Sequence, residues 1–210
     1  AVAALVDADR DAEASDEDAR AIARFADESR WGGADDRPLF SLVLIDEDAD
    51  ASKLPALSSF DGPLTFAVPA DAEGAMEAME AYRAAGHEVV ILADLPETIT
   101  PADVEIAMAS YFLSVPEAVA VLDGSLEGFR GNRRTVEQVV EILNETGHGL
   151  LMFDQGLNTA SRIARQGDVP VDTIFRDLAG AGQGNTVIRR FLAQAAFRAS
   201  QDGEAVLLAR

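Results

Sequence analysis

The chain alternates between two hydrophobic rhythms, and that alternation limits the folds open to it. Seven short runs have the length and composition of strands. They are "LFSLVLI" (Leu39 to Ile45), "LTFAVP" (Leu64 to Pro69), "HEVVIL" (His87 to Leu92), "AVAVL" (Ala118 to Leu122), "GLLMF" (Gly149 to Phe153), "VDTIF" (Val171 to Phe175) and "EAVLLA" (Glu204 to Ala209). Most are apolar on consecutive residues, as expected of strands buried on both faces. Between them, apolar residues recur every three or four positions, the period of a helix. Strand and helix in strict alternation call for parallel strands joined by helical crossovers, hence an α/β sheet or barrel. Six or seven strands do not supply a regular eight-fold barrel.

The helices carry their own punctuation. "DAEGAMEAMEAYRAAG" places Ala75, Met76, Met79 and Tyr82 on one face and stops at Gly86. "TPADVEIAMASYFLS" opens with Thr100 as N-cap, Pro101 at the first helical position and Asp103 at the third; its apolar face is Val104, Ala107, Met108, Tyr111 and Phe112. "TVEQVVEILNETG" reads as a Thr135–Gln138 capping box followed by Val136, Val139, Val140 and Leu143. Shorter helical periodicity lies near Thr159 to Arg165, and "TVIRRFLAQAAFRAS" is the last helix.

Residues 1–37 differ. "DADRDAEASDEDARAIARFADESRWGGADD" is rich in Ala, Asp and Glu, and "GGADDRP" is a linker. Ile22 and Phe25, three apart, place a short helix against a core in an otherwise weakly anchored arm. The domain begins at residue 38 and runs to residue 210. The first residues lack the basic and apolar regions of a signal peptide, and a start at Ala1 suggests a mature or trimmed product. No apolar run reaches membrane-spanning length.

Charge and composition remove several functions. A formal net charge of −20 repels nucleic acid, anionic lipid and polyphosphate. With no cysteine there is no thiolate nucleophile and no Cys-ligated zinc. Neither G-x-G-x-x-G after the first strand nor a G-K-S/T phosphate loop is present. Only two histidines exist, His87 and His148, and each precedes a strand. Catalytic groups of α/β folds gather at the other, carboxyl, end of the strands. There the chain offers Asp46, Glu47 and Asp48 after the first strand, Asp94 after the third, Asp123 after the fourth and Asp154 after the fifth, with Asn158 and Ser161 beyond. Converging carboxylates would suit a hard cation or acid–base chemistry. In a chain acidic throughout, helix capping and solvation explain the same residues. Arg133 and Arg134 offer a basic loop for an anionic glycan, although pairing with the acidic surface accounts for them equally.

The order of these segments resembles the divergent polysaccharide deacetylase family, a branch of the NodB-like carbohydrate esterases, from about Pro38 to Leu208. "LVLIDED", "GPLTFAVP", "AAGHEVVIL", "GLLMFDQGLNTAS", "GDVPVDTIFRD" and "GEAVLLAR" carry the likeness. It implies a distorted, incomplete NodB-like (β/α) barrel with about six or seven strands, exported to the periplasm of a Gram-negative bacterium. Asp46 falls at the family's base-like aspartate and Glu47 at its metal-binding one. The departures fall on the chemistry. "LADLPE" and "VLDGSLEG" stand where the family has metal-binding histidines, Gln155 stands for a serine, and the closing Gly-His is replaced by Ala209-Arg210.

Deacetylation needs a metal-bound water of lowered pKa, a Lewis acid at the acetyl oxygen, and a base and an acid. Histidine-ligated zinc is therefore not expected. Glu47, Asp94 and Asp123 would have to hold calcium, magnesium or manganese unaided. The expectation is a catalytically degenerate protein that binds a cell-envelope glycan or protein. In it Asp46 and Asp154 are remnants, and Asn158, Ser161 and Arg133 line a groove. The alternatives are an active metal-dependent deacetylase or hydrolase with a carboxylate site, and a partner-facing scaffold within a larger envelope protein, using the acidic arm or the Ala-rich helices.

Overall fold

The computed structural model describes residues 20–27, 38–57, 60, 62, 64–124, 132–153, 159–178 and 184–210. In chain order the elements are α1 (Ala21–Phe25), β1 (Leu39–Ile45), β2 (Thr65–Pro69), α2 (Ala75–Ala84), β3 (Glu88–Ala93), α3 (Pro101–Ser114), β4 (Ala120–Asp123), α4 (Arg133–Thr146), β5 (Gly149–Phe153), α5 (Thr159–Gln166), β6 (Val171–Asp177), α6 (Asn185–Asp202) and β7 (Glu204–Ala209). A short 3-10 turn, Leu54–Leu57, lies between β1 and β2, where no α-helix is found among the described residues.

The strands form a closed, all-parallel barrel in sequence order. This corrects the expectation of a distorted, incomplete barrel. Closure is made by β1 and β7, which pair over six consecutive positions from Leu39–Glu204 to Leu44–Ala209. The physical reason is that the first and last strands read as ordinary buried strands in the sequence. Nothing local states that they are neighbours, and an edge exists only if they are not. Pairing them satisfies the backbone N–H and C=O groups that an open sheet would leave on two edges.

Alternation along the strands sorts the core. Val43, Ile45, Ala67, Val90, Ala120, Leu122, Leu151, Ile174, Val206 and Leu208 pack inside the barrel. Their neighbours Phe66, Val68, Val89, Ile91, Val121, Leu150 and Met152 face the helices, where Met79, Tyr82, Val104, Met108, Val139 and Leu143 meet them. Most of the central strand residues are thus buried on one face or the other, as the continuous apolar runs require. α6 packs separately, through Ala195 and Ala199, on Leu178, Ala205 and Leu207.

At the amino end of the barrel, α1 docks against the inner cluster. Ile22 is buried among the interior residues, with Phe25 and Ala26 beside it. Its backbone N–H donates to the Gly147 carbonyl at 3.0 Å. Arg83 donates to the Phe25 carbonyl at 2.8 Å, and the Asp27 N–H donates to the Glu88 carboxylate at 3.0 Å.

Helix starts agree with the sequence at α3, where the Asp103 N–H donates to the Thr100 hydroxyl oxygen. They differ at α4. Its N-cap is Asn132, whose side chain accepts from the Arg134 N–H, and Thr135 lies inside the first turn with its hydroxyl donating to the Ile99 carbonyl at 3.2 Å. Asn is as good an N-cap as Thr, and being three residues earlier it satisfies the first free N–H groups.

Candidate functional site

The carboxyl end of the barrel is where β1, β3 and β4 deliver Asp46, Glu47, Asp94 and Asp123, and the structure sends them in different directions. Asp46 follows Ile45, an inner residue, and so turns outward under α2. It is buried, at 7% exposure. Its carboxylate accepts from the Tyr82 hydroxyl at 2.9 Å and from the Ala51 N–H at 3.1 Å. Tyr82 is itself stacked on Phe66, with ring centroids 3.7 Å apart. Burial first, and the Asp46 carboxylate second, push the phenol far above the ordinary tyrosine range. Asp46 therefore ties α2 and the loop after β1 to the barrel rim.

Glu47 takes the inward direction and reaches the mouth. There it meets Arg210, which follows β7, at 3.1 Å. The same guanidinium donates to Asp177 at the end of β6 at 2.7 Å. One arginine thus bridges two carboxylates from strands on either side of β7. Arg210 retains 38% side-chain exposure and Glu47 65%, so the bridge is solvent-facing and screened. Asp94 is exposed. Its charge and that of Asp71 add to burial in pushing the Tyr111 phenol pKa upward, which places Asp94 by α3. Asp123 is fully buried; it follows the inner Leu122 and so lies on the helix-facing side of β4.

Glu47, Asp94 and Asp123 are therefore not brought to one point. Among the described residues no group of three or more His, Cys, Asp or Glu side chains is placed to hold a metal ion. The donor set present at the mouth, two carboxylates already bridged by a guanidinium, does not fit a divalent cation. Ser161 is buried in α5. Arg133 is an exposed first-turn residue of α4 paired with Glu137 at 2.7 Å, the pairing with the acidic surface noted in the sequence. Asp154 and Asn158 lie outside the described residues.

Both histidines sit at the amino end, the far side of the barrel. His148 immediately precedes β5, stacks on Phe112 with centroids 4.4 Å apart, and has Nδ1 2.9 Å from the Thr146 hydroxyl. Burial holds its pKa down at about 4, so the ring is neutral at physiological pH. His87 precedes β3 with its ring 5.2 Å from Phe66. At the same end, the register pairs Val206 with Ile174 and so places Glu204 beside Asp172 on the inner face. Burial raises the pKa of both, and for Glu204 the Asp172 charge adds to it.

Reading the sequence missed Arg210 and Asp177 as partners and Tyr82 as the group that engages Asp46. Arg210 carried a signal, because it ends the last strand at the level where the acidic residues end theirs. Tyr82 did not, because it falls on an apolar helix face with no local mark of a buried carboxylate opposite.

Comparison with solved structures gives a crystal structure of an uncharacterized protein from Agrobacterium tumefaciens C58. It is 18% identical, with a TM-score of 0.72, and the match covers 90% of this chain and 82% of that one. At that identity the likeness is one of fold. No curated protein matches the chain. The sequence profile of divergent polysaccharide deacetylases matches residues 43–210, from inside β1 to the end of the chain. With four-fifths of its length matched, this chain belongs to the divergent polysaccharide deacetylase family.

Proposed function

We propose that this protein is a deacetylase-type domain that has given up hydrolysis and binds an envelope glycan at the carboxyl end of its barrel, in an exported setting. The observation that carries the reading is the Arg210 bridge between Glu47 and Asp177. A guanidinium, permanently cationic, stands among the carboxylates that would otherwise gather a metal. It can donate to sugar hydroxyls or to an acidic sugar, but it cannot coordinate a cation or take up a proton from water. The engagement of Asp46 by Tyr82 supports the same reading, since a carboxylate held by a phenol and a backbone amide is poorly placed to act as a mobile base.

The test is acetate release from N-acetylated chitooligosaccharides in the presence of zinc, manganese or calcium, run beside a binding titration followed by NMR. The expected result is no metal-dependent release, with glycan-induced shifts at Glu47 and Arg210. Robust metal-dependent turnover would reject the proposal in favour of a carboxylate-based hydrolase. No shift with any glycan, but capture of an envelope protein through the same residues, would replace the glycan with a protein partner.

A further inference from the structure

Outside the barrel, between β6 and α6, lies a groove of about 480 Å³ whose chemistry is unlike the rest of the molecule. The chain has 37 acidic residues against 17 Lys and Arg. Yet the groove is lined by Arg176, Arg190 and Arg198, with Phe175 and Phe197 and the amides of Gln194 and Gln201. Arg198 pairs with Asp202. Arg176 and Arg190 have no ion-pair partner among the described residues.

The groove is built by an irregularity in β6. Ile174 packs inside the barrel and Phe175 outside. Strict alternation would send Arg176 inward. The register with β7 slips between Ile174 and Arg176, as at a β-bulge. Arg176 is thereby re-aimed outward: its guanidinium lies 5.3 Å from the ring centroids of both Phe175 and Phe191. Arg190 lies 5.7 Å from Phe191 and Arg198 6.0 Å from Phe175. Alternation then resumes, with Asp177 inward to Arg210 and Leu178 outward in the α6 cluster. Cation–aromatic packing accounts for the arginines as covers for Phe175 and Phe191. It does not account for Phe197, which stands 64% exposed at the wall of the groove.

We infer that this groove is a second binding site, for a short carboxylated sugar such as a uronic acid oligosaccharide. Guanidinium groups bind carboxylates in a planar, two-point fork. An exposed phenyl face accepts the C–H face of a sugar ring, and the two glutamine amides can donate to and accept from hydroxyls. The volume is that of a small-ligand cleft. The body charge of −20 repels extended polyanions, so a ligand of few charges suits the site better than a long one. The ligand class rests on the glycan-binding reading above; the site does not.

The experiment is an NMR titration of the full chain with trigalacturonate and, separately, with its methyl ester, which keeps the rings and removes the charges. Shifts are expected on α6 and around Arg176. The ester should bind about tenfold more weakly or worse, and Arg190→Gln should cause a comparable loss. Phe197→Ala should weaken both ligands, with circular dichroism unchanged. Equal binding of acid and ester, or full binding by the Phe197→Ala protein, would overturn the inference. So would equal binding of a glutamate-rich peptide, which lacks the ring face. Shifts confined to Glu47 and Arg210 would sink the groove while sparing the glycan reading; no shift anywhere would sink the groove, and the chitooligosaccharide titration decides the glycan reading separately.

Discussion

Tyr82 touches two neighbours of opposite character, the Phe66 ring beneath it and the Asp46 carboxylate at its hydroxyl. Tyr82→Phe keeps the stack and removes the donor, leaving a buried carboxylate short of one hydrogen bond. The expected cost is about 1–3 kcal/mol, read as a shifted urea midpoint with an unchanged slope. His148 makes stability depend on pH. Its folded pKa of about 4 lies below the ordinary histidine value of 6.5, so the unfolded chain takes up the proton first. The stability it contributes is complete above pH 6.5 and is lost as pH falls from there toward about 4, by on the order of 3 kcal/mol. His148→Gln should flatten that part of a stability-against-pH curve. Asp172 and Glu204 act with the opposite sign. Their folded pKa values are raised, so their contribution is complete below the unfolded carboxylate range and is lost as pH rises through the folded values. Asp172→Asn, which removes a desolvated charge beside Glu204, should raise the melting temperature at neutral pH and leave it nearly unchanged in acid.

α1 and α4 show how one residue can serve two elements. Gly147 ends α4 at φ 71°, a left-handed position. A Cβ there would meet the Arg20 backbone Cα at 2.5 Å, and the Gly147 carbonyl is the acceptor for Ile22. Gly147→Ala should therefore cost about 2 kcal/mol. It should also loosen α1, detected as faster proteolysis near residues 20–27. Much of this scale was legible beforehand. The seven apolar runs are the seven strands, with β4 (Ala120–Asp123) starting two residues later than its run, although the Val119 N–H already donates to the Val89 carbonyl of β3. Strands are legible because burial on both faces leaves a continuous apolar signature. The pairing of β1 with β7 was not, since it joins residues far apart in sequence through backbone groups that every residue carries. The site was half legible for the same reason. The positions of Asp46, Glu47, Asp94 and Asp123 at strand ends follow from counting. Their side-chain directions depend on which strand residue faces in, and on partners such as Arg210 and Tyr82 contributed by distant elements.

For the molecule as a whole, the β1–β7 seam makes the barrel one cooperative unit. Leu208 on β7 is fully buried and belongs to the inner cluster. Leu208→Ala should cost about 2–5 kcal/mol, a large part of the stability of a domain this size. Ending the chain before Glu204 should abolish the single sharp transition in a thermal melt and expose surface that binds a hydrophobic dye. The order in which the chain is made gives the seam a further consequence. A ribosome releases β1 before the other six strands and β7 after them, so until β7 is made Leu39–Ile45 waits with one flank lacking its eventual neighbour. Nascent chains stalled before residue 204 should be held by chaperones or aggregate. Those long enough for Ala209 to clear the exit tunnel should resist protease.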